Sequence, residues 1–216
     1  LMKSILQLTL ILTIVMTCTQ LRAEQPKVGE RAHYYLAAHF ATGYWAEESD
    51  GFRCPVLGDV AETKIAVYVK EVNANTMRLA IALDKVLRKY SQLRRSFLLV
   101  SDEPRDSSMT EDELRVKLGS LQAAAKDYGI TKLSLGHLQY NTAVTRWRNS
   151  LGFFDSADVV ICVNEPGIEQ QRIQPNRLPL RTVRPFYRFV ATLNSKELDE
   201  QTATSAINKA ISSLSE

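Results

Sequence analysis

The stretch from Lys64 to Ser91 constrains the fold more than any other. It reads KIAVYVKEV, then NANT, then MRLAIALDKVLRKYS. Ile65-Ala66-Val67-Tyr68-Val69 is a near-continuous apolar run with β-branched residues. Such a run predicts a strand covered on both faces, as in a parallel sheet. Asn73, Asn75 and Thr76 then offer side chains that cap a helix. Leu79, Leu83, Val86-Leu87 and Tyr90 recur at helical spacing, which predicts one face packed on that sheet. Arg78, Asp84, Lys85, Arg88 and Lys89 fall largely elsewhere on the helix, and the basic final turn complements the helix dipole.

The pattern repeats once. Ser96-Phe97-Leu98-Leu99-Val100 predicts a second buried strand, and Ser101 to Asp106 a polar loop. Ser108 or Thr110 can cap the next helix, with Glu111 and Glu113 in its first turn. Leu114, Leu118, Leu121, Ala125 and Tyr128 form its inner face, and Gly129 its stop. Strand, helix, strand, helix implies a right-handed crossover and a parallel pair. Ile130 to Leu135 reads as a short strand or extended passage, and residues 141–150 as a short helix. Ala157 to Val163 is a third strand. Asn164-Glu165-Pro166-Gly167 reads as a turn, followed by a proline-spaced loop to Arg184. Phe186 to Ala191 predicts a strand pairing antiparallel with the third, and Leu198 to Leu214 a closing amphipathic helix.

Residues 1–23 have the layout of a secretory signal peptide: Lys3, an apolar run from Ile5 to Met16, then Leu21-Arg22-Ala23. The run is short of the roughly 20 apolar residues of a membrane span, so none is expected after cleavage. The expected location is the periplasm or the exterior. Cleavage would remove Cys18 and leave Cys54 and Cys162 in a compartment where disulfides are allowed. Residues 24–63 read as an irregular extension whose aromatics Tyr34, Tyr35, Phe40, Tyr44 and Trp45 either pack on the main domain or offer a ligand surface. Residues 64–216 form the main domain.

The order βαβα-ββα is similar to the thioredoxin-like core. The chain resembles the redoxin branch of secreted bacterial proteins in Lys27-Val28-Gly29-Glu30, in Phe97 to Pro104 with its helix ending Tyr128-Gly129-Ile130, and in Val159 to Gly167. The resemblance implies an α/β three-layer sandwich. In that family the CxxC pair opens the helix after the first core strand, where the helix dipole lowers the thiol pKa. Here Val72-Asn73-Ala74-Asn75-Thr76 holds that place without sulfur, and Phe154-Asp155-Ser156-Ala157 replaces the family's cis-proline. The expectation is a redox-inactive domain that binds another envelope protein or a peptide, with Asn73, Asn75 and Thr76 as binding candidates. The alternative is a single-cysteine, peroxiredoxin-like enzyme using Cys54, which lies beside Arg53.

The net charge of +3 is scattered, without the basic stripe of a nucleic-acid surface. No GxSxG, P-loop or GxGxxG motif occurs, and no cofactor is expected. His33 and His39 lack Cys or acidic partners at ligand spacing, so no metal is expected either. If the signal peptide is cut after Ala23, intact-mass measurement of exported protein will place Glu24 first.

Overall fold

The structure, a computed structural model, describes residues 29, 31–32, 37–48, 52–53, 63–101, 109–139, 157–172 and 180–214. The signal segment, Cys54, His33, Asp102, Glu103, Asp106 and the helix expected over 141–150 lie outside them.

The fold is mixed α/β. In chain order the elements are β1 (Arg31–Ala32), β2 (Ala38–Phe40), α1 (Gly43–Glu48), β3 (Phe52–Arg53), β4 (Ile65–Val69), α2 (Ala74–Lys89), β5 (Phe97–Val100), α3 (Glu111–Asp127), β6 (Ser134–Leu138), β7 (Val159–Arg172), β8 (Leu180–Leu193) and α4 (Glu200–Ser212). One eight-stranded sheet runs β1-β8-β7-β4-β5-β6-β2-β3. β4, β5 and β6 are parallel, while β7 joins β4 antiparallel on its other side. All five residues of β4 are buried, as their apolar run requires.

The two sheet faces carry separate cores. Ile65, Val67, Val69, Leu98, Val159 and Ile161 point to one face, where Met77, Leu79, Leu83, Leu121, Ala125, Ala203 and Ile207 cover them. Thus α2, α3 and α4 all contribute to one layer. Two right-handed crossovers stepping the same way, β4 to β5 to β6, put both helices on the same face. On the opposite face Ala66, Tyr68, Phe97, Leu99, Val160, Cys162 and Phe189 meet Phe40 and Trp45. The expected three layers therefore reduce to one layer of long helices, the sheet, and a thin cover from the chain before β4.

That cover is more regular than expected. It supplies β1 to one sheet edge, and β2 and β3 to the other. Trp45 is fully buried, and its indole N–H donates to the Arg95 carbonyl at 2.8 Å. Phe40 stacks on Trp45 with ring centroids 6.0 Å apart and meets Phe97 edge-on. The described aromatics of the extension are thus core packing, with Tyr44 at its margin. Gly136 permits the docking of β2, since a Cβ there would stand 2.6 Å from the His39 carbonyl oxygen.

The helix ends follow their sequence signals. Thr110 caps α3, and Glu113 returns a bond to the Thr110 amide at 2.9 Å. Gly129, with φ of 66°, closes it: Ile130 N–H donates to the Ala125 carbonyl and Gly129 N–H to that of Lys126.

Two expectations need correction. The turn at Asn164 to Gly167 and the loop to Arg184 are instead strand: β7 continues to Arg172 and β8 begins at Leu180, antiparallel throughout. The ladder slips between Glu165 and Ile168, so Pro166-Gly167 lies opposite Pro185. A bulge absorbs prolines that have no N–H to donate. Asp84, placed off the packed face by its spacing, is 1% exposed. Its Oδ2 takes Arg88 Nε at 2.8 Å and Nη2 at 2.7 Å. Its Oδ1 accepts from the backbone N–H groups of Thr131, Lys132 and Leu133 at 3.0, 2.6 and 2.9 Å. A buried carboxylate is tolerated because every lone pair is engaged. Asp84→Ala is expected to lower unfolding free energy by about 2–4 kcal/mol in urea titration, and Arg88→Ala by less, because half-exposed Arg88 leaves the three amide bonds in place.

Candidate functional site

Asn73 and its neighbours form a closed cap. The Asn73 side chain accepts from the N–H groups of Asn75 and Thr76, both at 3.0 Å. Thr76 Oγ1 in turn accepts from the Asn73 N–H at 2.9 Å. Asn75 also takes a bond from Arg78 Nη1 at 2.9 Å, and Arg78 reaches the Leu198 carbonyl. The amides of Asn75 and Thr76, expected to offer a ligand site, are already spent on the capping box. Arg78 ties that helix start to the approach of α4.

The described thiol is no better placed for chemistry. Cys162 is a free cysteine, 1% exposed, in the core beneath Trp45 and Phe189. Burial pushes its pKa up, away from the reactive thiolate.

Polar side chains instead converge where the parallel strands end. A cleft of about 240 Å³ opens there. Glu71 and Val72 follow β4, Val100 closes β5, His137 stands near the end of β6, and Lys117, Ser120 and Leu121 come from α3. The carboxyl ends of parallel strands are a usual place for a ligand crevice. A second cleft of about 240 Å³ lies toward the start of α3, between His39, Thr110, Glu111 and Leu114. The two adjoin at a histidine pair, because the β2–β6 register sets His39 directly opposite His137.

His137 is 3% exposed, and its Nδ1 lies 2.9 Å from the Leu138 carbonyl oxygen. A carbonyl only accepts, so Nδ1 carries the proton and Nε2 is the basic atom of the ring. Burial, and then the charge on His137, holds the pKa of His39 below its ordinary value. Burial also lowers that of Lys117. Three basic groups from β2, β6 and α3 are therefore gathered at one corner, and among the described residues Glu71 and Glu111 are the acids lining the clefts. Among the described residues no group of three or more His, Cys, Asp or Glu could hold a metal ion.

This corner was missed in the sequence, where His39 was weighed against His33. Its true neighbour is set by a strand pairing between segments far apart in the chain, and no local spacing signals it. The one hint was His137 inside an apolar passage, at Leu135-Gly136-His137-Leu138. No protein-family model matches the chain, and no curated protein matches it.

The lowered His39 pKa has a sign. The unfolded chain takes up its proton near pH 6.5, above the folded value, so the unfolded state binds more protons in that window. The contribution of His39 is present above about pH 6.5 and is lost as pH falls through the folded pKa. Urea midpoints between about pH 7 and 5.5 should fall less in His39→Gln than in the parent protein.

Proposed function

We propose that the chain is an exported, thioredoxin-like binding module that performs no thiol chemistry. The reading is supported by the strand order β5-β4-β7-β8, parallel then antiparallel, with α2 following β4 and α4 following β8. A thioredoxin-like core has that order. The departure is α3, which lies on the same face as α2 and α4 because β6 extends the parallel set.

The observation that carries the functional half is the start of α2. Where thioredoxins place their thiol pair, this chain places a side-chain-capped turn whose amides are engaged and which holds no sulfur. The buried Cys162, with its raised pKa, cannot substitute for that pair. What remains at the ends of the parallel strands is a largely apolar cleft to which Glu71, Lys117, Ser120 and His137 add polar groups, suited to binding. The partner class is a ligand, peptide or envelope protein presented to that end of the sheet.

Maleimide labelling with mass spectrometry tests the reading. Cys162 should label only on denaturation, and Cys54→Ser should leave peroxide consumption unchanged. Rapid labelling of Cys54 near about pH 6, with peroxide consumption lost in Cys54→Ser, would overturn it in favour of a single-cysteine enzyme.

A further inference from the structure

Side chains on a helix fall in rows four residues apart, and the groove between two such rows receives a row from another helix. On the helical layer α2 and α4 lie side by side. Arg78 reaches the Leu198 carbonyl just ahead of α4, and Lys85 Nζ stands 3.8 Å from Glu200 Oε1 in its first turn. Between the two helices runs an open groove of about 630 Å³, which shares no lining residue with the strand-end clefts. Its floor is apolar: Ile207 is buried, and Val86 and Ile211 are half-buried. Its rims are two such rows. Lys85 and Lys89, both exposed, form the α2 rim. Thr204, Asn208 and Ser212, also exposed, continue the α4 rim from Glu200 without charge.

We propose that this groove receives one amphipathic helix of a partner polypeptide, its apolar stripe on Val86, Ile207 and Ile211 and two of its carboxylates, one turn apart, against Lys85 and Lys89. The length fits, since the 13 residues of α4 span about 20 Å, between three and four turns. The charge fits as well. Lys85 meets Glu200 across water, with side chains 67% and 85% exposed. Lys89 holds its ammonium 5.1 Å from the centre of the Tyr90 ring. Solvated contacts of this kind contribute little and exchange readily for a better partner. The uncharged hydroxyls and amide of the α4 rim add hydrogen bonds without selecting charge, so the lysine row sets the sign. A second copy of the chain is disfavoured by shape, because a two-fold pair sets one concave face against the other. The proposal draws on neither the strand-end clefts nor the thiols, and it stands or falls apart from them.

The test uses the whole chain and three fluorescein-labelled peptides of about 14 residues. The first is a helix with leucine along one face and glutamate beside it. The second carries lysine for each glutamate, and the third is a scrambled acidic control. Fluorescence anisotropy should show saturable binding of the first alone, weakening as salt rises. NMR shifts should fall at Val86, Tyr90, Thr204, Asn208 and Ile211. Lys85→Glu combined with Lys89→Glu should weaken the acidic peptide by roughly tenfold and admit the lysine peptide instead. Glu200→Gln should tighten the acidic peptide by releasing Lys85. All three side chains are exposed, so these variants keep the fold. No saturable binding, equal binding of the scrambled peptide, shifts confined to another surface, or an unchanged affinity in the double variant overturns the proposal. Sedimentation velocity separates the other occupant: a dimer that the double variant dissolves assigns the groove to a second copy and overturns it too.

Discussion

A single carboxylate ties α2 to the backbone that leads into β6. Asp84 sits in the middle of α2, yet most of its hydrogen bonds go to the backbone that leads into β6. A charge in that position is tolerable only with full compensation, and Arg88 one turn later completes it. Arg88 also bonds the Gly129 carbonyl at 2.7 Å, so the same pair fastens the end of α3. Three segments distant in sequence are thereby fixed at one point: α2, the close of α3, and the start of β6. The depth at which β6 enters the sheet sets where His137 falls relative to α3.

The two faces of the sheet are built on different principles. On the helical face, long amphipathic elements lay apolar stripes over alternating strand residues, a large contact that tolerates variation in detail. On the other face a short segment does the same work with aromatics. Trp45 and Phe40 close over Phe97 of β5, and Lys64 places its ammonium 5.3 Å from the centre of the Trp45 ring. Rings fill that space at low entropic cost. Basic residues gather at its margin too, with Arg94 and Arg95 both about 5 Å from the Tyr44 ring.

What could be read from the sequence was whatever is local. The run at Ile65–Val69, the caps at Asn73 and Thr110, and the stop at Gly129 each carry their cause within a few residues, and each stands as expected. Asp84 was misjudged because a charged residue on a helix is ordinarily solvated, and its compensating amides come from a different part of the chain. The β7–β8 ribbon was taken for turn and loop because Pro166, Gly167 and Pro185 look like breakers singly; only in register do they share one bulge. β2 has three residues, too few for any period to register. The candidate cleft was invisible for the same reason, being assembled from four separate segments of the chain.

The pairing of β2 with β6 has a consequence for how the chain is made. Synthesis delivers the amino-terminal end first, so Phe40 and Trp45 emerge long before the strand that receives them. Loop closure over that distance must precede any reward from burying the rings. The helical layer, made of successive crossovers, can assemble as its parts appear. The aromatic cover must wait until β5 and β6 have emerged to receive it.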